Sequence, residues 1–228
     1  MSTDIAANIA SIRARMANAA QRAERQPSDI VLCAVCKGQD SALIRQSAGL
    51  VDCFGENRAQ EMLLHANQGA HAHTPVHFIG HLQTNKAKDV VGRVQLIHSV
   101  DRNRLLARIA ALADSQALVQ DILIQINIGA EASKSGLSPD ELPALLDTAA
   151  ALPSVRVRGL MAIPPPADST ENRRYFARMR ALLTQAQTLH PDMPLDTLSM
   201  GMSDSFEDAI LEGATLVRVG SAIYGQRS

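Results

Sequence analysis

Short apolar runs rich in β-branched residues alternate with longer amphipathic stretches along the chain. The first amphipathic stretch, about residues 4–25, has Ile5, Ile9, Ile12 and Met16 at helical spacing and predicts an N-terminal helix. Eight apolar runs follow, separated by seven helix-like stretches. Each run predicts a strand, over residues 30–36, 52–55, 77–80, 96–100, 122–128, 157–163, 197–200 and 216–219.

Several of these runs are almost continuous in apolar residues, as IVLCAVC and ILIQINI illustrate. Strands that are covered on both faces have this pattern, and strands that alternate with helices form parallel sheets. Eight strand–helix units in 228 residues favour an α/β fold, a closed (β/α)8 TIM barrel with an extra N-terminal helix. Because no linker or change in composition divides the sequence, we expect a single domain over residues 1–228.

Composition and charge argue against several functional classes. The net charge is -1, aromatic residues make up 3% and Trp is absent, so we expect no nucleic-acid binding. No apolar run approaches the ~18 residues that span a bilayer, and the N-terminus lacks a secretory pattern. An odd count of three cysteines indicates reduced thiols. We therefore expect a cytoplasmic protein without membrane contact, and a monomer.

Polar residues just after the runs are the candidates for chemistry, because active sites of this fold lie at the C-terminal ends of its strands. Lys37 follows the first run, where partial desolvation favours the neutral amine that forms an imine with an aldehyde. A surface lysine that merely ends a strand would give the same pattern. Glu56 and Asn57 follow the second run and Asn85 follows the third, where loop and cap residues are equally expected.

Two glycine turns follow the last two strands, and both are candidates for anion binding. Ser199, Met200 and Gly201 follow the seventh run, and Gly220 and Ser221 follow the eighth. Backbone N–H groups at such turns bind anions, and the usual phosphate site of this fold follows strands seven and eight. Two ordinary turns are the alternative, but their coincidence at this location favours phosphate.

Arg218 interrupts the last apolar run and is expected to point inward to a partner. A guanidinium that met a ring nitrogen would donate a hydrogen bond and keep that nitrogen unprotonated. Such a ring is a weaker electron sink, which argues against demanding carbanion chemistry.

Two patterns resemble metal sites but favour other readings. Cys33 and Cys36 are three residues apart on a predicted strand, so they face opposite sides and are expected to be small core residues. A second set of side chains, His71, His73, His77 and His81, straddles a loop and a strand without a fixed ligand geometry. We expect no metal centre from either pattern.

The sequence closely resembles the YggS/PROSC family of pyridoxal phosphate homeostasis proteins. Seven segments carry the resemblance in chain order: AVCKGQ (34–39), FGENRAQE (54–61), HFIGHLQTNK (77–86), QINIGAEASKSG (125–136), RGLMAIPPP (158–166), LSMGMSDSFEDAI (198–210) and LVRVGSAIYG (216–225). They cover nearly the whole chain and are specific. Two departures stand beside matched residues: Cys36, where the family often has Ser, and His81, where many members have Pro.

The resemblance implies the barrel of the alanine racemase N-terminal domain and the cofactor pyridoxal 5′-phosphate (PLP). It implies a Schiff base to Lys37, Asn57 near the ring, Arg218 facing the pyridine nitrogen, and a phosphate surrounded by Ser199, Met200, Gly201, Gly220 and Ser221. Lys134 matches a loop lysine suspected in cofactor transfer. The implied role is storage or delivery of B6 vitamers, with apo-PLP enzymes as possible recipients, and no catalysis.

The main alternative is a fold-type III PLP enzyme such as an amino-acid racemase. A racemase needs proton-transfer groups on both faces of its substrate, and in alanine racemase a second domain supplies a tyrosine. Here the sequence ends nine residues after Val219, and its only tyrosines, Tyr175 and Tyr224, are expected on a helix and in packing. We therefore expect a binding protein. A barrel that binds another phosphate ligand, with Lys37 unmodified, is the third reading.

Overall fold

A closed barrel of eight parallel strands forms the centre of the molecule. The computed structural model describes residues 4–130 and 135–225. The strands are β1 (Val31–Val35), β2 (Cys53–Glu56), β3 (Val76–Phe78), β4 (Leu96–Val100), β5 (Gln120–Ile126), β6 (Val155–Ala162), β7 (Thr197–Ser199) and β8 (Leu216–Val219). They pair in chain order, and β8 pairs with β1. The predicted (β/α)8 barrel is confirmed, although β5 and β6 begin two residues earlier than expected.

Helices surround the barrel in the order α1 (Ile5–Arg22), α2 (Ser41–Ser47), α3 (Ala59–Asn67), α4 (Asn103–Ser115), α5 (Leu142–Ala150), α6 (Ser169–Leu189), α7 (Phe206–Leu211) and α8 (Ser221–Tyr224). The predicted N-terminal helix is confirmed as α1. Asp4 caps it by accepting a hydrogen bond from the Ala7 backbone N–H at 3.0 Å, and its apolar face is buried as expected. Between β3 and β4 a 3-10 helix, Thr84–Asp89, takes the place of the expected α-helix. Within residues 4–130 and 135–225, none of the helices is both long and apolar enough to cross a bilayer.

Alternation along the strands separates two layers of side chains. One alternate set, which includes Leu32, Phe54 and Phe78, joins the buried side chains of the helices in the main hydrophobic core. The other set points into the barrel. It includes two small apolar clusters. One consists of Cys33, Cys53, Ile79 and Leu216, and the other consists of Leu96, Leu123 and Met161. The rest of the barrel interior is polar.

Gly159 lets two strands of the barrel approach closely. Its φ is +146°, and a Cβ atom there would lie 1.8 Å from the carbonyl oxygen of Thr197 on β7. The register between β5 and β6 shifts beside it, between Ile122 and Leu123. A side chain at residue 159 would therefore separate β6 from β7.

Candidate functional site

A cavity of about 330 Å³ opens at the C-terminal ends of the strands. Four of the residues expected at the site line this cavity: Asn57, Arg218, Gly220 and Ser221. A second cavity, of about 360 Å³, lies at the opposite ends of the strands, where Arg158 pairs with Asp121 and Asp196. We assign the functional site to the first cavity, which we call the upper pocket, because enzymes and binding proteins of this fold use the C-terminal face.

Lys37 lies at the edge of the upper pocket. It is half-buried in the turn that follows β1. Its neighbours in the chain, Val35 and Gln39, both line the pocket. Lys37 itself does not line the cavity, but its place in the turn between Val35 and Gln39 puts it beside the pocket.

Arg218 points into the barrel from β8 and forms part of the pocket floor. Its Nη1 donates to Ser199 Oγ at 2.5 Å, and its Nη2 donates to the carbonyl oxygen of Ala162 at 2.9 Å. Burial lowers the pKa of Arg218 to about 10, below the value expected from sequence, but the group stays charged at neutral pH. A guanidinium has five N–H groups. Those contacts use two, so donors are available to a ligand in the pocket.

A chain of hydrogen bonds continues from Arg218 down the barrel. Ser199 Oγ lies 3.1 Å from His98 Nδ1, His98 Nε2 lies 3.1 Å from His77 Nδ1, and His77 Nε2 lies 3.3 Å from Gln95 Oε1. Because Gln95 Oε1 only accepts, each imidazole must donate from Nε2 and accept at Nδ1, and Ser199 must donate to His98. The network therefore has one direction, from the guanidinium to the amide.

Both histidines in this chain are uncharged at neutral pH. Burial lowers the pKa of His77 to about 4. Burial also lowers the pKa of His98 well below its usual value, and the neighbouring His77 and Arg218 lower it further. Neutral imidazoles are what the directional hydrogen-bond chain requires, since a charged ring has no acceptor.

The turn after β7 lies deeper than its sequence suggested. Ser199 and Met200 are fully buried, with the Ser199 hydroxyl in the network below Arg218 and Met200 in the main core. Gly201 is also buried, with a φ of +89°, and a Cβ atom there would lie 2.5 Å from Ala209 Cβ on α7. None of the three lines the upper pocket in this structure. These three residues shape the turn that places Met202 and Ser203 in the pocket.

Ser203 lines the pocket, and sequence reasoning did not single it out. Its Oγ accepts hydrogen bonds from the backbone N–H groups of Gly220 and Ala222, each at 3.4 Å. Donors from the turn after β8 therefore converge on a hydroxyl from the turn after β7. The SMGMS segment predicted this turn as part of the site, but only the tertiary fold shows that its fifth residue, Ser203, lines the pocket while its first, Ser199, does not.

Asn57 contributes an unsatisfied acceptor. Its Oδ1 is buried and has no hydrogen-bond partner in the described part of the chain, although the residue lines the pocket. A buried amide oxygen without a donor costs about 1–3 kcal/mol. This orphaned group suits a ligand that brings a donor or a bridging water.

The side chains that resembled metal sites lie apart from one another. Cys33 points into the barrel, whereas Cys36 lies in the outer core, as predicted. His77 is inside the barrel, His71 is buried outside it, and His73 and His81 are exposed, so these four do not form one cluster. A different group, Cys36, Glu56 and His71, is close together and is considered below. Lys134 lies outside the described residues.

The fold and the upper pocket define a barrel of the alanine racemase type. The family model for the alanine racemase N-terminal domain matches residues 6–228. A pyridoxal phosphate homeostasis protein of Pseudomonas aeruginosa is 45% identical over 232 residues, which cover 100% of this chain and 97% of that protein. The protein of the same name from Escherichia coli K12 is 40% identical over 230 residues, covering 98% and 97%. The chain belongs to the family of pyridoxal phosphate homeostasis proteins, which confirms the resemblance seen in the sequence.

A solved structure agrees with this assignment. PipY of Synechococcus elongatus, determined with PLP bound, is 32% identical to this chain and superposes with a TM-score of 0.85. The match covers 97% of this chain and 100% of PipY.

Proposed function

We propose that this protein binds PLP in the upper pocket as a Schiff base to Lys37 and serves intracellular B6 homeostasis by storing or delivering the cofactor. The observation that carries the proposal is the convergence of Asn57, Arg218, Gly220 and Ser221 on one pocket beside the Lys37 turn. The names of its relatives and the PLP-bound structure of PipY support the same ligand.

The phosphate binds where the turns after β7 and β8 meet. Backbone N–H groups of Gly220 and Ala222 already converge on one oxygen, that of Ser203. Phosphate oxygens accept hydrogen bonds from backbone N–H groups of the same kind. The Ser221 hydroxyl lies at this edge, whereas Ser199, Met200 and Gly201 contribute by shaping the turn.

Arg218 would face the pyridine nitrogen, and Asn57 would lie beside the ring. The remaining guanidinium N–H groups donate to the ring nitrogen, and a group with a pKa of about 10 does not give its proton to a pyridine at neutral pH. When bound, PLP supplies an aldehyde that captures amines and, with an unprotonated nitrogen, is a weak electron sink.

We infer that the protein is a carrier and not an enzyme. The arginine partner of the ring nitrogen supports this, as do the names of the relatives. The Tyr224 hydroxyl lies 2.7 Å from Ser47 Oγ in the core, and Tyr175 is on α6, so neither tyrosine lines the upper pocket. The alternative is a fold-type III PLP enzyme such as an amino-acid racemase.

The proposal also covers the domain organisation, oligomeric state, location and partners of the protein. We propose one domain over residues 1–228, a monomer, and a cytoplasmic location in which the three buried, free cysteines remain reduced. The ligands are PLP and related B6 vitamers, apo-PLP enzymes are the recipients, and neither nucleic acid nor membrane is a partner. Lys134 is proposed to assist transfer.

Borohydride reduction tests the covalent linkage. The purified protein is saturated with PLP, reduced, digested and analysed by mass spectrometry, with Lys37→Ala and Lys86→Ala as paired variants. Lys86 is the matched control because it lines a neighbouring pocket near the same face. The modification is expected on Lys37 in wild type and in Lys86→Ala, and should vanish in Lys37→Ala. Modification spread over several lysines contradicts the proposal.

A transfer assay then separates the carrier from the enzyme. Holo-protein is mixed with an apo-PLP enzyme in the presence of a trap for free PLP, and racemisation of amino acids is followed in parallel. A carrier activates the recipient despite the trap and shows no turnover. Racemisation that Lys37→Ala abolishes would establish the enzyme instead.

A further inference from the structure

A buried cluster of ionisable side chains lies directly outside the barrel wall. Cys36 follows β1 and Glu56 ends β2, and both are fully buried in the layer between barrel and helices. His65 on α3 and His71 on the following turn close the cluster, at 4% and 6% exposure. We call these four residues the outer cluster. Asn57, the chain neighbour of Glu56, lines the upper pocket, and Lys37, the chain neighbour of Cys36, lies beside it. The outer cluster therefore lies behind the proposed cofactor site.

The hydrogen bonds inside the outer cluster leave one charged atom without a partner. His65 Nδ1 and His71 Nε2 lie 2.7 Å and 2.8 Å from the same carboxylate oxygen, Glu56 Oε1. Glu56 Oε2 is buried and has no hydrogen-bond partner among the residues that the structure describes. Burial of a carboxylate oxygen without a hydrogen-bond donor or a cation is unfavourable. A donor or cation bound at Glu56 Oε2 would remove this cost.

We propose that Cys36, Glu56 and His71 bind one divalent metal ion of the zinc class. One ligand atom from each of the three lies within 4.8 Å of the others. Donors at ~2.0–2.3 Å from a tetrahedral zinc ion are ~3.3–3.8 Å apart, so side-chain movements of about 1 Å would close the site. The mixture of a thiol, an imidazole and a carboxylate suits zinc, because calcium and magnesium prefer oxygen ligands alone.

Charge and protons balance at this site. Cys36 binds as a thiolate, and its proton leaves to solvent when the ion enters. The thiolate and the Glu56 carboxylate then offset the two positive charges of the ion, so the buried site is neutral. When the ion enters, His71 gives up its 2.8 Å hydrogen bond to Glu56 Oε1, moves its proton from Nε2 to Nδ1, and binds through Nε2. Without the ion, the thiol makes a long contact of 3.6 Å to the carbonyl oxygen of Ala34.

His65 is a positioning residue in this arrangement. Its Nδ1–H donates to Glu56 Oε1 and orients the carboxylate, which presents Oε2 to the ion. Partners of this kind fix ligand geometry and influence metal affinity. His71 is on a turn near the surface, which gives the ion a short route to an otherwise closed site.

Metal titration of the full chain tests the proposal. Protein stripped with a chelator is titrated with Co²⁺, whose thiolate complexes absorb through sulfur-to-metal charge transfer, and then with Zn²⁺ against a competing chelator. One ion per chain is expected, with a charge-transfer band. Cys36→Ser should abolish the band, and His71→Asn should weaken binding more than the ~10–100-fold expected for the positioning variant His65→Asn.

Matched controls distinguish this site from adventitious binding. Cys33→Ser removes a thiol of the same strand that faces into the barrel, and His73→Asn removes an exposed histidine of the same turn. Both should retain wild-type affinity and the band. Circular dichroism identifies variants that fail to fold. If Cys36→Ser unfolds, the metal affinity of His71→Asn tests the proposal in its place. The proposal is overturned if no ion binds, if Cys36→Ser retains the band, or if His73→Asn weakens binding as much as His71→Asn.

Discussion

Arg218 Nη1 lies 2.5 Å from Ser199 Oγ inside the barrel, and this bond joins the upper pocket to a buried pair of neutral histidines. No carboxylate pairs with the guanidinium within residues 4–130 and 135–225. Its position is therefore fixed by neutral acceptors, and its charge is directed toward whatever occupies the pocket. Ser199, which sequence analysis assigned to the phosphate, accepts a hydrogen bond from the group proposed to face the ring.

Replacement of Arg218 is expected to weaken PLP binding without abolishing the linkage to Lys37. A hydrogen bond to a charged group contributes about 1.5–3 kcal/mol, so Arg218→Gln should raise the dissociation constant by about tenfold or more. Arg218→Lys should also bind poorly, because an ammonium lacks the planar fork. Absorbance titration with PLP measures both. Arg158→Gln, at the opposite cavity, is the control, and equal losses in all three variants would contradict this role.

Ser203 and Ser199 should differ in their response to the phosphate group. Ser203 lies in the pocket where backbone donors converge, whereas Ser199 acts through Arg218. Ser203→Ala should therefore weaken PLP by about 1 kcal/mol and leave pyridoxal, which lacks the phosphate, unchanged. Ser199→Ala should weaken both ligands alike. Parallel titrations with the two vitamers decide the question, and a loss specific to PLP in Ser199→Ala would favour the assignment made from sequence.

Stability should fall as the pH drops from 8 to 5.5. The pKa of His77 is about 4 in the folded protein against 6.5 for an ordinary histidine, so the unfolded chain binds more protons below pH 6.5. Stability is thus full above pH 6.5 and is lost progressively toward pH 4. His77 alone contributes a loss on the order of 1 kcal/mol at pH 5.5, and His98 adds to it in the same direction.

Urea unfolding at several pH values measures this effect. His77→Gln should reduce the pH dependence between 8 and 5.5, since the amide does not titrate, and His98 should account for part of what remains. His73→Asn changes an exposed histidine and should leave the slope as in wild type. An unchanged slope in His77→Gln would show that other groups cause the loss.

The sequence predicted the barrel because its strands are covered on both faces and remain apolar along their length. It also predicted the inward direction of Arg218, since a charge inside an apolar strand needs a partner. The contacts of that charge were not predictable, because Ser199, His98 and His77 lie on three other strands and meet only when the barrel closes. The outer cluster could not be predicted from the sequence for the same reason. Period-two alternation separates Cys36 from Cys33, but only the fold brings Cys36 to Glu56 and His71.

Tyr224 should contribute to stability through one buried hydrogen bond. Its hydroxyl lies 2.7 Å from Ser47 Oγ, which itself donates to the Ile44 carbonyl, so Tyr224 is the donor. Tyr224→Phe removes that bond while Ser47 retains its own, and the expected cost is about 1 kcal/mol. Urea unfolding measures it, with Tyr175→Phe on α6 as the control. A loss of equal size in the control would show that the bond to Ser47 is not the cause.

Gly159 should be the glycine least tolerant of a side chain in the barrel wall. A Cβ atom at residue 159 would lie 1.8 Å from the Thr197 carbonyl oxygen, so Gly159→Ala must separate β6 from β7. The expected cost is about 4 kcal/mol or more, with loss of soluble protein as the extreme result. Gly69→Ala is the matched control, because Gly69 also has a positive φ, +63°, but no atom within 4 Å of the added Cβ. It should cost only about 1–2 kcal/mol for the backbone conformation. Urea unfolding of both variants measures the difference, and similar costs would mean that the strands separate without penalty.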